Sequence, residues 1–240
     1  MIEIHDGALQ ELRKHAAACA PRECCGLLLL FKGKQRYWPC TNEAKGEENF
    51  IIAPADWAAA EDVGEILAIC HSHPFAPPLP SPADLTMCEK LGLPWIIINH
   101  PTGRLHQFAP SGYQAPLTGR TFHHGILDCY SLIRDYYRLS LDIVLPDFER
   151  PDNWWLPEVG LNLYEENFAA AGFHQVPAES MRLHDVLLMQ IASDRSNHGA
   201  VYVGDGRILQ HVYGCLSSRY PYGGYWRKAT TKVLRHQEVI

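Results

Sequence analysis

The feature that most constrains the fold is a break in pattern. Ala109-Pro110-Ser111-Gly112-Tyr113-Gln114-Ala115-Pro116 is rich in turn formers and has no hydrophobic periodicity, and it separates two well-patterned regions. One domain is therefore expected over 1–109, a linker over 110–117 and a second domain over 118–240. A chain of 240 residues can bury two modest cores, and 47% hydrophobic with 20% charged residues marks both halves as globular.

Lys+Arg total 21 against 27 Asp+Glu, a net charge of −6, so the basic stripe of a nucleic-acid partner is not expected. No apolar run approaches the roughly 20 residues that cross a bilayer, so no transmembrane segment is expected. Met1 to Asp6 lacks the basic-then-apolar pattern of a secretory signal, which points to synthesis in a reducing cytosol. Eight cysteines are too sparse for a disulfide scaffold. Cys19, Cys40, Cys70, Cys88 and Cys215 read as buried small hydrophobes, and Cys24-Cys25 has no second pair at zinc-finger spacing.

In the first region, a 3.6-residue pattern over Gly7 to Ala20 predicts a helix, and helices also follow Pro54 and Ser81. Strands are predicted over 26–31, 35–40, 49–52, 66–73, 95–99 and 104–109. In the second region, helices are predicted from Asp128 to Leu139 and over Tyr164 to Ala171. Three strands follow over 185–190, 199–204 and 207–212, the last two joined by the hairpin turn Gly204-Asp205-Gly206. Strands and helices mix without regular alternation, so both domains are α+β.

His71-Ser72-His73-Pro74 ends an apolar strand. Alternation along a strand puts His71 and His73 on one face, where two imidazoles can share a metal. Ser81-Pro82-Ala83-Asp84, with seven residues between His73 and Ser81, opens a helix and contributes a carboxylate. Capping alone would explain Ser at the N-cap, Pro at the first helical position and Asp near the positive dipole end. With the histidines bracketing the same short loop, the set instead offers Zn2+ three protein ligands and one open position. Glu23, just before the first strand, is the candidate general acid/base, and Ser81 a donor to the oxyanion. Glu23, His71-Ser72-His73-Pro74 and Ser81-Pro82-Ala83-Asp84 together resemble the JAMM metalloprotease signature over about residues 1 to 108. That resemblance implies a JAMM/MPN-like mixed sheet, with His71, His73 and Asp84 as zinc ligands and Glu23 in the acid/base role.

Asp128-Cys129-Tyr130-Ser131 reads as an N-cap followed by a first helical turn, where the dipole favours a thiolate at Cys129. Asp128 opposes this electrostatically, so a base is needed, and His198 at the start of a strand is the candidate. A third group would orient the imidazole from the next hairpin strand. Gln210 and His211 both lie there, and alternation lets only one face inward. Asp128-Cys129, His198 to Gly204 and Ile208 to His211 resemble the NlpC-type cell-wall cysteine peptidases over about residues 118 to 215, although Tyr130-Ser131 stands where that family often has Ser-Gly. The resemblance implies a papain-like core and peptidoglycan peptide stems as substrate. His123, His124, His174 and His184 have no such partners in the sequence.

The two domains in this order, with Leu127 to Tyr137 and Leu216-Ser217-Ser218-Arg219, are similar to phage tail-tip proteins of the lambda K type. This implies other tail-tip proteins as partners, synthesis in the host cytoplasm and a final place in the virion tail tip. Trp154-Trp155 and the aromatic stretch Tyr220 to Trp226 are expected either to cover a core edge or to dock on neighbouring subunits. The substrate of the metal half is left open.

Overall fold

The computed structural model describes residues 1–47 and 49–239. It is α+β and divides into two compact units, Met1–Gln114 and Ala115–Ile240.

The first unit is a five-stranded mixed sheet built from β1 (Cys25–Phe31), β2 (Lys34–Cys40), β3 (Glu65–His73), β4 (Trp95–Asn99) and β5 (Leu105–Phe108). The spatial order is β2-β1-β3-β4-β5, with only β3 and β4 parallel. Helices α1 (Asp6–Cys19), α2 (Pro54–Val63) and α3 (Pro82–Leu91) cover its two faces. Leu28, Ala68, Cys70, Ile96 and Ile98 pack with Ala8, Leu12 and Ala16 of α1. Leu27, Leu29, Ile69 and Trp95 pack with Ala60 of α2 and Cys88 of α3. Burial on both faces is why β1 and β4 are unbroken apolar runs rather than alternating ones.

Helix α3 starts on a capping box: Ser81 Oγ accepts from Asp84 N, and an Asp84 carboxylate oxygen accepts from Ser81 N. It stops at Gly92, whose φ of 68° is the left-handed conformation that glycine adopts without strain. Residues 49–52, expected as a strand, make only an isolated bridge between Asn42 and Ile52. The Asn42 side chain takes over the pairing there, donating to Asn49 O and accepting from Ile51 N.

The second unit is a six-stranded antiparallel sheet of β6 (Phe173–Val176), β7 (Val186–Met189), β8 (His198–Tyr202), β9 (Arg207–Gln210), β10 (Ser218–Pro221) and β11 (Thr230–His236). The order is β10-β9-β8-β7-β11-β6, so the C-terminal strand is inserted between β7 and β6. One face carries α4 (Cys129–Leu141) and the short α5 (Leu163–Asn167). There Ile133, Tyr137, Trp154 and Tyr164 pack on Val186, Leu188, Val201, Leu209 and Leu234. On the other face, Tyr220, Tyr222 and Trp226 cover Leu187, Met189, Ala200 and Ile208; Trp226 lies in α6 (Gly224–Ala229). Most of the aromatic stretch thus covers a core edge, while Tyr225 stays exposed.

Three expectations need correction here. The sheet has six strands rather than three, because β6 and β10 are only four residues long and β11 shows neither clean alternation nor an apolar run. The helix predicted over Tyr164 to Ala171 ends at Asn167, where the chain turns into β6. Cys215 is exposed rather than buried, and Cys19 is half-buried. Among the described residues no helix is long and apolar enough to cross a membrane.

Candidate active sites

In the first unit, β1 pairs with β3 so that Cys25 lies opposite His71, and Ser72 N donates to Cys24 O. This register carries Glu23, two residues before the start of β1, to the end of β3 where the histidines stand. Alternation places His71 and His73 on the face of Ile69, the face that α2 and α3 cover. His71 Nε2 and His73 Nε2 are 3.1 Å apart, Asp84 Oδ1 is 3.6 Å from His71 Nε2, and Glu23 Oε1 is 3.8 Å from His73 Nε2. The nearest ligand atoms of His71, His73 and Asp84 all lie within 4.8 Å of one another.

Each of these groups is held from outside the cluster. His73 Nδ1 donates to Pro77 O at 2.8 Å, which leaves the Nε2 lone pair facing inward. Asp84 divides its work: Oδ2 accepts from Ser81 N at 2.7 Å, and Oδ1 is left to the histidines. The ring of His71 is held by packing, stacked on Phe50 at 4.7 Å and edge-on to Trp95 at 5.5 Å, while its Nδ1 is buried without a hydrogen bond. Burial pushes His71 down to about 4, keeping it in the neutral form that ligates metal. Buried Asn99, at the end of β4, donates to His73 O and Ala76 O and accepts from Thr102, so it ties the loop to the histidine strand. The donor set fits zinc: bonds of about 2.0–2.1 Å in a tetrahedron put ligand atoms roughly 3.3 Å apart, close to the spacing seen.

In the second unit, Asp128 caps α4, accepting from Ser131 N at 2.8 Å. Its other oxygen meets Arg150 Nε at 2.7 Å, and both side chains are almost fully buried. Burial by itself would raise the Asp128 carboxyl, but Arg150 and Ser131 hold it below its ordinary value. The charge that should oppose a thiolate at Cys129 is thus partly offset by Arg150, an arginine of the irregular Trp-rich stretch.

Cys129 Sγ lies 3.0 Å from Tyr164 Oη. Burial pushes the thiol up to about 11 and Asp128 adds to this; the Tyr164 hydroxyl, the Gly199 backbone N–H and Arg150 pull the other way. Gly199 can come this close because it has no side chain; a Cβ there would stand 2.7 Å from Ile133 Cδ1 of α4. His198, the first residue of β8, directs Nε2 to Gln210 Oε1 at 2.9 Å. Ala200 is paired with Gln210, so His198, Ala200 and Gln210 share a face. Burial lowers His198 to about 4. Of the two candidates for the third position, Gln210 meets the imidazole, while His211 lies beyond the end of β9 with its ring edge-on to Phe122 at 5.1 Å. Elsewhere His184 Nδ1 bonds Tyr136 Oη at 2.7 Å and His124 Nε2 meets Arg150 O at 2.9 Å.

Sequence reasoning missed Asn99, Arg150 and Tyr164. Asn99 left a faint signal, an amide closing an apolar strand; Arg150 lies in a stretch without periodicity, and Tyr164 lies in a helix that the sequence predicts, with nothing local to tie it to Cys129.

Comparison with known proteins matches residues 5–109 to the prokaryotic homologs of the JAB domain and residues 118–235 to the NlpC/P60 family. The tail tip assembly protein K of Escherichia phage N15 is 38% identical over 232 residues, 96% of this chain and 95% of that protein. Its counterpart from Escherichia phage lambda is 42% identical over 186 residues, 78% of this chain and 89% of that protein. Among solved structures, a JAB1/MPN domain protein from Archaeoglobus fulgidus is 20% identical, covering 46% of this chain and 89% of that one with a TM-score of 0.31.

Proposed function

Because this chain belongs to the tail tip assembly protein K family, we propose that it is a tail-tip component with two peptidase sites, one metal-dependent and one cysteine-based. The observation that carries this reading is the convergence of His71, His73 and Asp84 within 4.8 Å, with Glu23 beside them. Domains over 1–109 and 118–240 with a linker between them are part of the proposal, as are the virion tail tip as location and other tail-tip proteins as partners.

In the first site His71, His73 and Asp84 would hold zinc. When bound, zinc supplies Lewis-acid polarisation of a carbonyl and lowers the pKa of water to about 7. Glu23 accepts the proton of the attacking water and returns it to the leaving amine. Ser81 Oγ already accepts from Asp84 N, and its own proton stays available for the oxyanion. The substrate is a peptide or isopeptide.

In the second site the substrate is the peptide stem of peptidoglycan. Gln210 Oε1 accepts from His198 Nε2, which leaves His198 Nδ1 as the basic nitrogen. In the resting structure the Cys129 sulfur meets Tyr164 and the His198 ring meets Gln210, so the scheme requires the neutral imidazole to reach the neutral thiol, whose proton then passes to Nδ1 as sulfur attacks the amide carbonyl. The imidazolium then protonates the leaving amine, and water releases the acyl group from sulfur. His211 is assigned no step in this scheme.

A second reading, a structural plug whose sites are idle in the particle, is favoured by the burial of Cys129, which is only 8% exposed. Incubation of the purified chain with defined muropeptides separates the two. Cleavage lost in Cys129→Ala supports the enzyme, whereas wild type no faster than Cys129→Ala at several pH values leaves the plug. Metal analysis tests the other half: about one zinc per chain is expected and should be lost in His73→Ala. Equal zinc in both proteins would refute the ligand set.

A further inference from the structure

The hydroxyl of Tyr164 is buried, and among the described residues its hydrogen-bond partner is the sulfur of Cys129, at 3.0 Å. Tyr164 comes from α5, the five-residue helix at the start of the stretch predicted as helical from Tyr164, where nothing in the sequence ties it to Cys129. Its ring is fixed by Trp154 at 5.4 Å edge-on and by Tyr130 at 6.2 Å, so the hydroxyl is aimed rather than free to rotate away. A buried hydroxyl could be satisfied more strongly by a carbonyl oxygen than by a neutral thiol, which is a weak acceptor. The contact makes chemical sense if sulfur becomes an anion.

We propose that Tyr164 is a catalytic residue of the cysteine site, its O–H donating to the Cys129 sulfur and holding the charge that forms there. This rests on the reading of Cys129 as a nucleophile. In the neutral state either atom can donate, thiol to phenol or phenol to thiol. Once the S–H proton has gone to His198 Nδ1, only Tyr164 has a proton to give, and the contact becomes charge-assisted. Tyr164 keeps its own proton throughout: burial and the neighbouring sulfur hold the phenol well above its usual range, so it does not compete as an acid. The Gly199 backbone N–H is a second donor on the strand side. Sulfur thus has one donor from α5 and one from β8, in a place where Arg150 partly offsets the charge of Asp128.

Removing one oxygen atom tests this on the intact chain. Wild type and Tyr164→Phe are labelled with iodoacetamide across a pH series, and modification of the Cys129 peptide is followed by mass spectrometry, so that Cys19 and Cys215 do not interfere. Loss of a charge-assisted donor should raise the midpoint for Cys129 by about one to two pH units. A Tyr164 that only packs would leave the midpoint unchanged. A Tyr164 that only shields would lower it, because opening the site relieves desolvation of the thiolate. Either of those outcomes overturns the proposal. Tyr164→Leu, which removes ring and hydroxyl together, gives the direction of the shielding effect for comparison. The readout is the thiol itself. A raised midpoint in Tyr164→Phe, with no muropeptide cleavage by wild type, would keep the donor and reject the peptidase reading.

Discussion

At the residue scale, His198 shows how burial sets both chemistry and stability. Its imidazole is held neutral down to about pH 4, whereas an unfolded histidine titrates near 6.5. Above 6.5 neither state carries the proton and the full stability is present. As pH falls from 6.5 towards 4, the unfolded chain takes up a proton that the folded chain refuses. Stability therefore declines across that window, by on the order of 3 kcal/mol in total. Urea unfolding of wild type and His198→Gln at pH 7 and pH 4.5 isolates this residue, since the other histidines are common to both proteins. Wild type should lose clearly more stability on acidification. Equal losses would mean that His198 is not buried as a neutral group. Asp84 carries a related lesson. Reading Ser81-Pro82-Ala83-Asp84 as a helix start or as a ligand source posed a choice that the carboxylate does not have to make, because one oxygen caps and the other faces the histidines.

At the element scale, the contact that positions the cysteine is the approach of α4 to β8, and Gly199 makes it possible. A methyl group at this position would stand 2.7 Å from Ile133 Cδ1, closer than carbon atoms tolerate. Gly199→Ala should therefore cost about 1–3 kcal/mol through overpacking. Ile133→Val deletes the offending atom and alone should cost about 0.5–1.5 kcal/mol. If the clash is the cause, the double variant should be more stable than the sum of the two losses predicts, in a denaturation double-mutant cycle. Strict additivity would show that the glycine is needed for another reason. What the sequence made legible follows the same logic of local against distant contacts. The His71, His73 and Asp84 cluster could be read because its residues fall within one strand, one loop and one helix start. The N-cap before Cys129 and the hairpin bearing His198 and Gln210 are local patterns too. Arg150 reaches Asp128 from an irregular stretch, where no period announces which side chains turn inward, and Tyr164 lies in a helix that could be read but meets Cys129 only through the fold. β11 was hidden for a similar reason: its neighbours β7 and β6 come earlier in the chain, and its Thr- and Lys-containing sequence shows neither clean alternation nor an apolar run.

At the scale of the whole molecule, the cores respect the division of the chain. The clusters around α1 and around α2 and α3 draw only on residues of the first unit, and those around α4 and around Trp226 only on the second. The connecting stretch is anchored in the same divided way. Glu89 of α3 accepts from Ser111 N and Tyr113 N, at 2.6 and 2.9 Å, fastening the end of the first unit to its own helix. Buried Arg120 donates to Pro116 O and Ala115 O, fastening the start of the second unit to itself. A cut between Gln114 and Ala115 therefore breaks neither set of anchors. Each unit also exceeds the size below which a core alone fails to stabilise a fold. Expressed separately, 1–114 and 115–240 should each unfold in a single cooperative calorimetric transition. Zinc should follow the first fragment at about one per chain. A thiol whose labelling depends on Tyr164 should follow the second. A fragment that melts without a transition would mean that it takes stability from the other half, and the two sites could then no longer be treated as independent.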